Sequence, residues 1–525
     1  NFSGGTADIT NAGKMSGGVY TAKGTMGITN EGTVENGTYT AETGAMTITN
    51  RGKLSAGTYT AKAGTMDITN EGTIENGTYT ARGDLTYTDI AKSSLTDGTL
   101  ISEEGKATIT AHGVLQIKKL SAKDSATVEA DHDVTLTEAE AGTLVISSDG
   151  SVNAGTLTAT TGDAEVTAKK DVTIGTLTAE AGSAAIEATE GKLDVTTLNA
   201  KSLTAKAGTM LSAKTLDVKE HAELTSGSAM MLESASADTL TANAGTTLDA
   251  TKIHTAGDAS LVSGSNMALH EAEVGGKLTA DAGGSISVKG TDAKIAAADI
   301  TMRAGEDIRI TDRSPVGKLD GVDTSLPAGQ TTGSGEAGSL VIGEAKPHDF
   351  DVSGKGSALL SSAGGKVTLS AKKVEIDTLK NSEGNAADLK ISADNIGIDD
   401  LAGVGAQHVT IHGADGQSQA HYAGIHSTSA GGTLVKDSAV EHLHLTGKEP
   451  LGLTNTAIGG DSVLATDKIR VTIQKNPGSS QAEHFGNLSL SGYDIATDHV
   501  MTSVKDGLTV NGERFPVTAE SVMNA

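Results

Sequence analysis

Short runs of alternating apolar and polar residues recur along this chain at a nearly constant step. Met26, Ile28 and Asn30 alternate with Gly27 and Thr29, the period of a strand with one face turned inward. The run Gly24 to Ala41 returns forty residues later as Gly64 to Ala81 with two changes, Gly27 to Asp67 and Val34 to Ile74, and a looser copy lies between. Asn11, Asn30, Asn50 and Asn70 are spaced by 19, 20 and 20 residues, and Tyr20, Tyr39, Tyr59 and Tyr79 keep the same steps, as do Gly13, Gly32, Gly52 and Gly72. Period-two alternation inside a twenty-residue repeat predicts an all-β parallel β-solenoid with one coil per repeat.

The template assigns each residue class a place. Met26, Ile28 and Asn30 share the inward face of a first strand, Gly32 turns the chain, and Val34, like Met15, Leu54 and Ile74, points inward again. Tyr39 and Ala41 share the inward face of a third strand. Stacked at about 4.8 Å, each class meets its own kind one coil away. An asparagine in such a column both donates to and accepts from its neighbours, so its amide is satisfied along the axis. A left-handed turn is the alternative role for the same asparagines.

The repeat divides the chain into five segments. Residues 1–81 are regular coils with Asn and Tyr ladders, and 82–310 are coils of variable length. Within the second segment a shift of 118 carries Tyr39, Met46, Ile48, Asn50 and Leu54 onto Leu157, Ala164, Val166, Ala168 and Val172, keeping the parity of inward residues. Leu203, Leu240 and Leu278 open the phrase Leu-Thr-Ala-Xaa-Ala-Gly, and Leu224 and Leu261 open a different one between them, which predicts alternating coils of about 21 and 16 residues. All six prolines lie beyond residue 311, and 311–336, within a Pro/Gly/Ser-rich segment 311–350, lacks alternation and reads as an excursion out of the coil. Coils with longer loops resume over 351–460. Residues 461–525 read as last coils and a cap or joint, with a hairpin signal at Leu508 to Phe515 around Asn511-Gly512. Dividing the chain by its repeat gives some two dozen coils, on the order of 120 Å at the parallel-strand spacing.

Composition fits a narrow core. The 525 residues include 66 glycines, no tryptophan and 2% aromatics, so the interior is built from small and branched aliphatic side chains. The net charge of −26 disfavours nucleic acid and anionic surfaces as partners. With no cysteine, disulfides, thiolate metal sites and Cys nucleophiles are excluded. No apolar run is long enough to span a bilayer, and residue 1 is Asn with no leader pattern after it, so the chain reads as a segment of something longer.

The ladder of short Thr/Ala/Gly-rich coils, the Leu-Thr-Ala-Xaa-Ala-Gly phrases and the acidic, cysteine-free composition resemble the shaft of filamentous-haemagglutinin-type exoproteins, the surface adhesins exported by two-partner secretion in Gram-negative bacteria. The resemblance covers most of residues 1–310. It implies a right-handed parallel β-helix, export to the bacterial cell surface, and roles in adhesion, biofilm or contact with other cells. The family's N-terminal secretion domain, with its Asn-Pro-Asn motifs, has no counterpart here.

Candidate chemistry is sparse. Parallel β-helices also carry polysaccharide lyases and hydrolases, whose sites need clustered carboxylates or an Arg/Lys base, with aromatic rings flanking the sugar. Here acids and lysines are scattered through turns, and residues 88–349 contain no aromatic residue. Six histidines, His408, His412, His421, His426, His442 and His444, crowd one stretch, but their spacing fits no metal motif and solvated turns are the other reading. Arg82-Gly83-Asp84 falls on a turn after the twin repeat and matches the integrin-binding tripeptide of adhesion proteins, against a chance match on a Gly-rich turn. The sequence therefore reads as a non-catalytic extracellular shaft or filament subunit without cofactor or metal. Its expected partners are copies of itself, end-to-end or lateral, or a host or neighbouring cell surface. A carbohydrate-active β-helix enzyme is the alternative.

Overall fold

The computed structural model describes residues 5–90, 92–288, 293–310, 339–344, 359–381, 387–448, 451–458, 462–466, 470–474, 484–490, 494–498, 503–510 and 513–515. These residues hold 46 strands and no helix. The strands stack in parallel as a β-solenoid of about 19 turns, roughly 20 residues apart, fewer than the two dozen that chain length suggests. The stretch 311–336, read as an excursion, lies outside the described residues. The chain divides into two compact units, Asn1–Thr246 and Thr247–Ala525.

In the first unit the template coil is three strands, Met26–Asn30, Thr33–Glu35 and Thr38–Ala41. The next coil places Met46, Ile48 and Asn50 on Met26, Ile28 and Asn30, with Leu54 on Val34 and Tyr59 on Tyr39, and the third coil repeats the pattern. These inward residues are at most 2% exposed. Burying each large apolar side chain contributes about 1.5–3 kcal/mol, so a coil's three inward faces supply its main stabilisation. The turn glycines are required by closeness: a Cβ on Gly52 would lie 1.9 Å from the carbonyl oxygen of Gly32 one coil away. Left-handed backbone occurs at a different column, Asn36, Ala56 and Asn76, with φ of 55°, 53° and 52°. The ladder asparagines therefore sit in strands, and other asparagines make the left-handed turns.

Farther along, strands fuse around the corners, as in Val114–Ala130, Val172–Ala188 and Leu193–Ala207. Leu157, Ala164, Val166, Ala168 and Val172 all lie inside, at most 1% exposed, which places the carried-over template correctly. The alternation of 21- and 16-residue coils is not what forms. Leu203 pairs with Ala222, which pairs with Leu240, and Ala205 pairs with Leu224, which pairs with Ala242, giving even steps of 19 and 18. Matching phrases are offset by two residues, a slip that preserves the inward face because side chains alternate with period two. The slip sets leucine on alanine in both columns, so large and small side chains interdigitate.

In the second unit Ile300 and Met302 pair with Val367 and Leu369, so the stack continues across the intervening chain. Part of the segment 311–350 is itself a strand of the stack: Ser339–Glu344 pairs in parallel with residues 462–466 on one side and 487–490 on the other. Asp307–Ile310 pairs directly with residues 373–376, so Ser339–Glu344 lies outside the winding of its sequence neighbours and adds a strand among later coils. The hairpin signal forms, with Leu508, Thr509 and Val510 antiparallel to Phe515, Arg514 and Glu513.

Candidate functional site

The asparagine column is a continuous hydrogen-bonded ladder. Asn11 Nδ2 donates to Asn30 Oδ1, Asn30 to Asn50, and Asn50 to Asn70, each at 2.8 Å. The second amide hydrogen goes to a backbone carbonyl of the next coil, Lys53 for Asn30 at 3.0 Å and Thr73 for Asn50 at 3.1 Å. The Oδ1 of Asn30 also accepts the N–H of Gly32 at 3.2 Å. Every amide hydrogen of the inner rungs is thus used although the surroundings are apolar. The ladder ends in two residues that the sequence reading passed over. Asn70 donates to the Tyr87 hydroxyl at 3.0 Å, and that hydroxyl donates to Asp89 Oδ2 at 3.2 Å. Tyr87 stands over Ile68 and Asp89 over Asn70. The signal was available: Leu85-Thr86-Tyr87-Thr88-Asp89 keeps the alternation of Met66 to Asn70 at a step of 19.

The tyrosines form a second column. Tyr20, Tyr39, Tyr59 and Tyr79 stack face to face with ring centroids 5.0, 4.9 and 4.8 Å apart and planes within 3–5°. Tyr20, in the first described coil, is half-buried, while the other three are closed off. The hydroxyls of Tyr39, Tyr59 and Tyr79 are buried without a hydrogen-bond partner. Burial, reinforced by the neighbouring Tyr20, pushes the Tyr39 hydroxyl up to about 12, and burial raises Tyr59 and Tyr79 further. Each ring fits because a glycine stands two residues before it: a Cβ on Gly57 would lie 2.6 Å from the Tyr59 ring. These columns hold the coil together and present nothing to a ligand.

Arg82, Gly83 and Asp84 do lie on a turn, with Arg82 and Asp84 exposed. Both ends of the tripeptide are engaged by the next coil. Arg82 grips Glu104 through two bonds of 3.0 and 3.1 Å, and Asp84 Oδ1 accepts the Lys106 N–H at 2.9 Å. The fork holds the Glu104 carboxyl below its usual range. A partner reading this tripeptide has to displace those contacts first.

The histidines fall into separate small groups. His408 Nδ1 lies 3.3 Å from Lys436 Nζ and 3.7 Å from Asp388, with Lys436 and Asp388 3.1 Å apart. His421 meets Glu441 at 2.6 Å and His442 edge-on at 5.7 Å. His426 meets Thr446 at 2.9 Å, His444 stands edge-on to Tyr422, and His412 accepts the Ala393 N–H through its backbone carbonyl. Among the described residues no three His, Cys, Asp or Glu side chains converge as a metal site. A shallow groove of about 440 Å³ runs past Ser263, Gly283 and Gly305, and its two charged groups, Arg303 and Asp281, are paired with each other at 3.3 Å.

Among the described residues no helix is long and apolar enough to cross a membrane. No protein-family model matches the chain, and neither a curated protein nor a solved structure matches it.

Proposed function

We propose that this chain is a non-catalytic structural and adhesive element of a bacterial surface, the shaft of a filamentous-haemagglutinin-type adhesin or the subunit of a surface filament. The observation that carries the reading is where the polar groups go. Inside, amides are consumed by their own ladder. Outside, acids and bases of successive coils neutralise one another, as in Lys62–Glu42 at 2.9 Å, Lys119–Glu138 at 2.9 Å and Lys294–Glu273 at 3.0 Å. Glu104, Glu273, Asp388 and Asp415 are likewise held below the usual carboxylate range by ion pairs or hydrogen bonds. Such a surface works by contact over many coils, with a neighbouring cell or another copy as partner.

Beads coated with the full chain test this. They are expected to bind cells or one another while releasing no sugar from a panel of acidic and neutral polysaccharides. Release of new reducing ends or unsaturated uronides by the purified chain would overturn the reading in favour of a carbohydrate-active enzyme.

A further inference from the structure

One outward face of the template coils is built almost wholly of threonine. On the third strand of the template coils the residues flanking each stacked tyrosine point outward, giving the pairs Thr38 and Thr40, Thr58 and Thr60, Thr78 and Thr80. They lie in register from coil to coil and are exposed or half-buried. Thr21 and Thr99 extend the columns at the two ends, beside Val19 and Ile101. No charged residue interrupts this face over five coils, in a chain of net charge −26 whose adjacent strands carry Glu35, Lys53 and Glu75.

The face is also regular. Parallel register sets Thr38, Thr58 and Thr78 in one column and Thr40, Thr60 and Thr80 in another, and the tyrosine rings rooted in these same strands are spaced 4.8–5.0 Å. The threonines therefore form a grid with rows 4.8–5.0 Å apart and columns about 6.6 Å apart, twice the rise per strand residue. Each point of this grid offers one hydroxyl and one methyl group. Hydroxyls at fixed spacing anchor water molecules, and the methyls between them hold the adjoining waters in cages. A fixed charge would instead orient water around itself, and the face has none. The oxygen rows of hexagonal ice repeat at distances comparable with this grid in both directions.

We propose that the threonine face spanning residues 21–99 is a binding surface for ice, acting through an ordered layer of water held on its hydroxyl and methyl grid. The neighbouring first-strand face supplies a natural comparison: its column Thr29, Thr49, Thr69 is equally regular, but the column beside it runs Gly27, Thr47, Asp67 and is broken by charge. The proposal does not depend on the adhesive reading, since a shaft that binds no cell carries the same face.

The test is partition of the full chain into a slowly growing ice front, with thermal hysteresis measured alongside. The wild-type chain is expected to enter the ice and to shape single crystals. Thr58→Lys with Thr60→Lys is expected to abolish both effects, while Asp67→Lys on the neighbouring face leaves them unchanged. All three substitutions point outward, and circular dichroism melts establish that each variant is folded. Exclusion of the wild-type chain from ice overturns the proposal, as does equal loss of activity in Asp67→Lys. Retention on crystalline chitin or cellulose without entry into ice also overturns it, in favour of a polysaccharide ligand.

Discussion

Asparagine 50 shows how a buried polar residue becomes stabilising only as a member of a column. Its amide accepts from Asn30 and donates to Asn70 at 2.8 Å, so Asn50→Ala strips one partner from each neighbour inside an apolar coil. The expected loss is about 2–4 kcal/mol in denaturant unfolding, because unsatisfied buried groups cost about 1–3 kcal/mol each. Alanine is nonetheless the native residue at the equivalent Ala168, where no ladder exists to be broken. Tyrosine 59 makes the opposite case. Its hydroxyl is buried and unpartnered, so Tyr59→Phe is expected to leave stability unchanged or raise it by about 1 kcal/mol. Gly57→Ala, which drives a methyl into the ring, is expected to lower it by about 1–3 kcal/mol. The same stack predicts alkaline sensitivity. An unfolded tyrosine ionises near 10.0, whereas folded Tyr39 keeps its proton to about 12. The stack's contribution is whole below pH 10 and falls as pH rises from 10 to 12, where the unfolded chain releases protons that the fold retains. A denaturation midpoint that stays flat over that interval would contradict the burial of these rings.

Strands and coils were legible in the sequence wherever the inward residue was repeated by kind. Met26, Met46 and Met66 announce one column and Tyr39, Tyr59 and Tyr79 another, because identical side chains stack on identical side chains. Legibility failed where columns are filled by complementary sizes. Leu203 and Leu224 look like equivalent starts of two phrases, yet each leucine sits over an alanine and the coils stay even. Matching by word found the residue types and missed the packing that pairs them. The packing has a direct test: Ala222 lies between Leu203 and Leu240, so Ala222→Leu places three leucines in a row and is expected to cost about 1–3 kcal/mol in thermal or denaturant unfolding through overpacking. Under the uneven coils read from the phrases, position 222 would face no such column and the substitution would be mild. The end of the asparagine ladder was hidden for a related reason, since Tyr87 and Asp89 continue it with different chemistry.

Over the whole chain, apolar burial outweighs surface charge in holding the coils. Exposed pairs such as Arg51–Glu71 at 3.1 Å contribute about 0–1 kcal/mol each, less than one inward leucine or isoleucine. Their part is to offset some of the like charge that a net charge of −26 places on the surface. What the sequence withheld at this scale is long-range pairing: nothing in Ser339–Glu344 announces that it lies between residues 462–466 and 487–490, because neither partner repeats its wording. The ladders, the ion pairs between coils and the threonine face all depend on register, and the cysteine-free chain allows it to be read covalently. Thr204 is opposite Glu223 in the stack, within the roughly 4.4–6.8 Å Cα separation that a disulfide bridges, while Thr225 is two residues farther along. Mild oxidation of the folded chain is expected to close the pair Thr204→Cys with Glu223→Cys rapidly and to leave Thr204→Cys with Thr225→Cys largely open. Preferential closure of the second pair, or equal closure of both, would contradict the stacked register.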